Sequence, residues 1–458
     1  MAARLLPLAA LAASASALTV PRDDSTSTPG VLSLPVYQDI RLQPLEHLRR
    51  RQVSDTDVPV LNVTSTTYLI ELMIGTPGQD TKVALDTGSS ELWVNPNCAN
   101  AGSTAQTQSC RANGQYDPND SSTSTVYTET GRIKYGKGEV VLQYVSDNIT
   151  LPGSDIDLRD TIFGYATNSV DLNRGILGLS FGEAYNNTNY PTVVEEMKAQ
   201  KVIESLTMGI ALGTKDEKTG SGLISFGGVD TKKFSGKLHS APVLQPQNDE
   251  NLWRYWVQLD SVALSKSGSS SKTYSNSQFP VFFDTGATLS YLPSAVVDSI
   301  GTDLGGQIDS SVNMYVVPCS SKGTLDFTFG GYTVKVPLSE FIWEVGTNAC
   351  VLGADKASDG KSFLLGDSFL RSTYVVFDQE TPALHFAPYV NCGSNLQKIP
   401  LGNNAAASFT GECQSDSGSS GSGSSSGDKN AAGRLASVNN MWLVAGALMA
   451  VQVFMSSL

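Results

Sequence analysis

Two aspartates stand at matched places in this chain. Asp86 closes the apolar run of "VALDTGSSELWV" (83–94) and Asp284 that of "VFFDTGATLSYL" (281–292), and each is followed at once by Thr-Gly: Thr87 and Gly88, Thr285 and Gly286. A single Asp-Thr-Gly says little, because Asp and Gly are what a turn after a strand prefers. Two copies in matched surroundings propose chemistry. Asp supplies a carboxylate, Thr a hydroxyl that can brace the turn, and Gly a tight backbone with no side chain to obstruct the carboxylate. Two such turns meeting across an approximate twofold axis would put two carboxyl groups in contact. Like charge and partial burial raise one pKa, hydrogen bonds lower the other, and the pair shares one proton. A water between them would give a proton to the ionised member while the protonated member polarised a carbonyl. That is general acid–base hydrolysis without a covalent intermediate.

The elements that must carry these turns are strands. From about residue 66 to 395 short runs rich in Val, Ile, Phe, Tyr and Thr, such as "TYLIELMIG", "GEVVLQYV", "YWVQLDSVAL" and "STYVVFD", alternate with Gly, Asn, Asp and Ser clusters. Helical patterns are few and short, the better ones at 190–200 and 293–305, each with Pro and a Ser or Thr near its start. Each Asp-Thr-Gly is followed further on by an apolar-apolar-Gly unit, "GILGLS" ending its triplet at Gly178 and "FLLGDSFL" at Gly366. This repeat predicts a duplicated lobe and an all-β, bilobal fold with a cleft between lobes 52–245 and 246–395.

On these motifs the chain resembles a pepsin-type aspartic endopeptidase, and among these the fungal group of yapsins and candidapepsins. "IGTPGQDTKVALDTGSSELWV" is close to the family pattern throughout, and "FFDTGATLSYLP" matches its second active-site loop. The resemblance implies Asp86 and Asp284 as the catalytic pair, Thr87 and Thr285 as the threonines that lock the two loops, and Ser89 as a hydroxyl bonded to the first aspartate. It implies Tyr135, followed by Gly136 and Lys137, as the flap tyrosine over substrate, with Trp93 bracing it. Two positions depart from the pattern. Lys137 stands where relatives carry an acidic or small hydroxyl residue, and Ala287 where a Ser or Thr is usual, so Asp284 is expected to lack a hydroxyl partner.

The ends of the chain suggest export. "MAARLLPLAALAASASA" (1–17) has a basic residue, a short apolar run and an A-x-A close, as a secretory signal does. A short polar segment follows to Arg49, Arg50 and Arg51, so 18–51 is expected to be a propeptide cut at the tribasic run. At the other end a Ser/Gly-rich stalk (396–430) leads to an uncharged apolar tail at 441–458, so 431–458 is expected to be a GPI-attachment signal with Asn430 as the attachment site. Sequons at Asn62, Asn119, Asn148 and Asn186 fit glycosylation on that route. Six cysteines allow fifteen pairings. Local pairing costs least entropy for Cys98–Cys110 and Cys319–Cys350, which leaves Cys392 with Cys413.

Other chemistries fit poorly. A net charge of −13 and a pI near 4.7 exclude a general nucleic-acid binder, which needs a basic face. No C-x-x-C or H-E-x-x-H suggests a metal, and no cofactor is expected. "GSSSG" (423–427) satisfies G-x-S-x-G only inside the low-complexity stalk, and outside the precursor segment only His239 and His385 could serve a triad. The alternative to an enzyme is a non-catalytic binding protein of the same fold on the cell surface. Both Asp-Thr-Gly triplets being whole favours an enzyme acting on protein and peptide substrates, and a monomer is expected.

Overall fold

Runs of β-branched and aromatic residues fold as short strands because such side chains pack well on a pleated, half-buried surface. The computed structural model describes residues 28–42 and 64–414, apart from 137, 153–155, 216–221, 267, 311–312 and 347–348. In the first half the strands are β1 (Leu32–Leu42), β2 (Thr64–Ile74), β3 (Gln79–Asp86), β4 (Leu92–Val94), β5 (Thr125–Lys134), β6 (Glu139–Thr150), β7 (Asp157–Val170), β8 (Gly175–Gly178), β9 (Thr207–Ala211) and β10 (Gly222–Phe226). They belong to one long sheet in the order His239–Pro242, Ala383–Pro388, Thr373–Asp378, β9, β10, β1, β2, β3, β8, β4, β7, β6, β5. Strands from both halves of the chain thus meet at β9, which pairs with Thr373–Asp378. The second lobe adds a five-stranded sheet built around Phe279–Phe283 and Leu364–Leu365.

The two halves position their Asp-Thr-Gly turns in the same way. β3 runs parallel to β8 with Asp86 opposite Gly178, and β8 is flanked on its other side by antiparallel β4. Phe279–Phe283 runs parallel to Leu364–Leu365, which pairs antiparallel with Ser290–Leu292. The repeated glycine has a steric cause. A Cβ on Gly178 would lie 2.3 Å from the Ser90 carbonyl carbon, and one on Gly366 would lie 2.3 Å from the Ala287 carbonyl oxygen. Each strand passes beneath the turn of its own lobe, and only glycine leaves the room.

One element departs from the sequence-based expectation. Residues 18–51 read as a polar segment, yet 32–42 form β1 in the middle of the long sheet. Leu32–Val36 pair with β10 and Tyr37–Leu42 with β2, so this strand joins the sheet between the lobes to the sheet of the first lobe. Leu32, Leu34 and Val36 are buried, an alternation that "LSLPV" already carries. Burial of each stabilises the fold by about 1.5–3 kcal/mol.

Helices are short. Val193–Ala199 starts at a capping box between Thr192 and Glu195, and Ser294–Asp303 follows Pro293. Thr104–Ala112 was not anticipated; Ser103 caps it and its Cys110 is disulfide-bonded to Cys98. Cys319 is bonded to Cys350 and Cys392 to Cys413. Among the described residues no helix is long and apolar enough to cross a membrane, and the 441–458 tail lies outside them.

Candidate active site

The two turns interlock through their threonines. Thr87 N–H donates to Thr285 Oγ1 (3.1 Å), and Thr285 N–H donates to Thr87 Oγ1 (3.0 Å). Each hydroxyl then donates across the lobe boundary, Thr87 to the Phe283 carbonyl (2.9 Å) and Thr285 to the Leu85 carbonyl (3.0 Å). All six groups of these four bonds lie in a buried site and all are satisfied, at a net gain of about 0.5–1.5 kcal/mol per bond. The lock fixes where the neighbouring aspartates point.

Those aspartates face one another. Asp86 Oδ1 accepts from Gly88 N–H (2.8 Å) and its Oδ2 from the Ser89 hydroxyl, while Asp284 Oδ1 accepts from Gly286 N–H (2.8 Å). No hydroxyl donates to Asp284 among the described residues, and Ala287 stands where Ser89 stands in the first turn. A Cβ on Gly88 would lie 2.7 Å from Asp284 Oδ2, and one on Gly286 2.5 Å from Asp86 Oδ1. A side chain at either glycine would therefore strike the opposite carboxylate. The two carboxyl groups are within hydrogen-bonding reach, with Asp86 6% and Asp284 9% exposed. Burial first and the Asp86 charge second hold the Asp284 carboxyl well above the usual carboxylate range. This arrangement keeps one proton on the pair and can run acid–base hydrolysis.

The β5–β6 hairpin brings Tyr135 within reach of the Asp86 turn. Tyr135 follows β5, its N–H bonded to the Gly138 carbonyl (3.0 Å), and its phenol oxygen accepts from Trp93 Nε1–H (2.7 Å). Trp93 is fully buried on β4, so the indole fixes the half-buried ring of Tyr135. Burial and the Asp86 charge raise the Tyr135 phenol above its ordinary range, which keeps it a neutral hydrogen-bonding group. Gly136 is exposed with open space around it; Lys137 lies outside the described residues.

Three residues of the site carried no signal in the sequence motifs. Glu91, five positions after Asp86, accepts through Oε2 from the hydroxyls of Tyr144 on β6 (2.8 Å) and Tyr190 (2.6 Å). Arg254 donates from Nη1 to the Gly88 carbonyl, pairs through Nε with Glu250 (3.0 Å) and lies 5.4 Å from the centre of the Phe282 ring. Asp367, next to Gly366, is fully buried with no hydrogen bond to either carboxyl oxygen among the described residues, and burial pushes its carboxyl well up. Of the sequons, Asn119 and Asn186 are exposed and Asn148 is half-buried with its Oδ1 accepting from Asp160 N–H (3.4 Å). Asn62 and Asn430 lie outside the described residues.

Comparison with known proteins agrees with this geometry. The model of the family "Eukaryotic aspartyl protease" matches residues 67–389. A probable aspartic-type endopeptidase opsB of Aspergillus fumigatus is 31% identical over 405 residues, covering 83% of this chain and 81% of that protein. Candidapepsin-2 of Candida parapsilosis is 31% identical over 395 residues, covering 82% of this chain and 89% of that protein. The crystal structure of an aspartic proteinase from Irpex lacteus superposes with a TM-score of 0.59 at 19% identity, over 78% of this chain and 97% of that one. That likeness is one of fold.

Proposed function

The chain belongs to the eukaryotic aspartyl protease family and is an aspartic endopeptidase; we propose that it cuts proteins at acidic pH on the outer face of the cell, with Asp86 and Asp284 as its catalytic pair. The observation that carries this reading is the contact of two buried carboxyl groups across interlocked threonines, one of them held protonated. A water between them loses a proton to the ionised carboxylate and adds to the scissile carbonyl carbon, whose oxygen takes a hydrogen bond and then the proton of the other carboxyl. The resulting gem-diol collapses as the leaving nitrogen receives the proton of one carboxyl and a gem-diol hydroxyl gives its proton to the other carboxylate while the C–N bond breaks, so the dyad returns to one shared proton. The substrate lies extended under the hairpin that carries Tyr135 and Gly136, adding main-chain hydrogen bonds as a strand does. Thr87, Gly88, Ser89, Thr285 and Gly286 hold the pair; Trp93 holds Tyr135.

Acid conditions suit a site that works only with one proton on the pair. Export rests on the 1–17 signal pattern, activation on a cut after Arg51, and membrane attachment on Asn430 and the tail beyond it. The enzyme acts as a monomer, since one chain supplies both aspartates. Asp86→Asn and Asp284→Asn test the assignment. Each should lower peptide hydrolysis by about 10²–10⁴-fold or more, because an amide cannot serve as the base. Substantial activity in a folded variant would refute it.

A further inference from the structure

Arg254 is bonded directly to the turn that carries Asp86, and the acid–base scheme above makes no use of it. It comes from the loop before Trp256–Leu259, 166 positions from Gly88. Three contacts fix its guanidinium: Nη1–H to the Gly88 carbonyl, Nε–H to Glu250, and the face of Phe282, the residue two before Asp284. Gly88 in turn gives its N–H to Asp86 and sits against Asp284 without room for a Cβ. The guanidinium therefore holds, by one bond, the residue that touches both carboxyl groups, and it brings a charge that no accessible pH removes.

We propose that Arg254 is a positioning residue of this active site, anchoring the Gly88 turn and favouring the singly ionised state of the carboxyl pair. The proposal rests on the assignment of Asp86 and Asp284 as the catalytic pair. Other charged and titratable groups face the pair from each side. Tyr135 comes from the β5–β6 hairpin, Tyr291 from Ser290–Leu292 and Asp367 from beneath the second turn. Tyr135 and Tyr291 are neutral phenols, and burial first, with the Asp284 charge adding to it, holds the Asp367 carboxyl up. Among the described residues the cation that acts on Asp284 is Arg254, its charge offset in part by Glu250.

The test is the pH profile of kcat/KM on an uncharged fluorogenic peptide, whose acidic limb reports ionisation of the free enzyme. Four proteins are compared: wild type, R254Q, R254K and E250Q. R254Q should move the acidic limb up by about half a pH unit or more, below the 1–3 units of an adjacent unscreened opposite charge. R254K should restore the limb toward wild type because it restores the cation. E250Q leaves the guanidinium and its bond to Gly88 in place and removes the counter-charge, so its limb should move down. A purely structural role would lower activity in R254Q without moving the limb. An R254Q limb that stays put or moves down overturns the proposal. Should R254Q fail to fold, E250Q decides, and a limb that stays put or moves up overturns it. Activity persisting in Asp86→Asn would instead remove the catalytic assignment on which the proposal stands.

Discussion

Replacing Ala287 by Thr would give Asp284 the hydroxyl that Ser89 gives Asp86. Both positions lie three residues after their aspartate, and Asp86 has two donors where Asp284 has one. A hydrogen bond to a charged group is worth about 1.5–3 kcal/mol, and about 1.4 kcal/mol corresponds to one pKa unit. The ceiling is then about one to two units. The added atoms must fit beside Trp256, Phe282 and Tyr291, and a hydroxyl also bonds the protonated pair, so about half a unit to one unit is the expected shift. The sign follows from which form gains. A donor favours the ionised form, the pair reaches its singly protonated state at lower pH, and the acidic limb of kcat/KM moves down. Initial rates on a fluorogenic peptide across the acid range measure it, with thermal unfolding of the same samples to confirm folding. A limb that does not move would show that Asp284 has all the stabilisation it can use. An upward shift would refute the reasoning.

Thr285→Val should destabilise the protein by about 1–3 kcal/mol, because the Thr87 N–H and Leu85 carbonyl lose their buried partner; a change below about 0.5 kcal/mol in denaturant unfolding would mean the lock is slack. The raised Asp367 carboxyl stabilises the fold below its unfolded pKa of about 4 and loses that contribution as pH rises through its folded value. Asp367→Asn should therefore lessen the fall in melting temperature between acid and neutral pH, and an unchanged fall would show the carboxylate to be compensated. Active enzyme from the cell surface should begin near Gln52 and be released by a GPI-cleaving phospholipase; an active chain beginning near Leu18, or one retaining its tail, would refute those assignments.

The strands and both aspartates were legible because their signals are local. An apolar run ending in Asp-Thr-Gly needs only neighbouring residues to be read, and the glycines at 178 and 366 register a steric demand made within each lobe. What escaped depends on partners far away in sequence. Arg254 forms an i,i+4 pair with Glu250 and on sequence reads as a surface ion pair, since its bond to Gly88 spans 166 positions. Asp367 stands in "LLGDSFL", where Gly-Asp-Ser reads as a turn; its burial comes from packing that no window of sequence contains. The helix Thr104–Ala112 is polar nearly throughout and gives no apolar period, so its cap and its disulfide carry it. β1 was hidden because five alternating residues sit within a longer polar segment.

That strand gives chain cleavage an unusual reach. β1 lies upstream of Arg51 and β2 downstream, so a cut there divides one sheet between two polypeptides. While the chain is whole, the linker between them keeps the strand at an effective concentration of about a millimolar. After such a cut it would become a ligand of its own enzyme, retained by two hydrogen-bonded ladders and the three apolar side chains of Leu32, Leu34 and Val36. Its occupancy then follows mass action, so dilution empties the groove and free peptide refills it. Its departure would leave β2 and β10 with unpaired edges in the seam between the lobes, open to another strand.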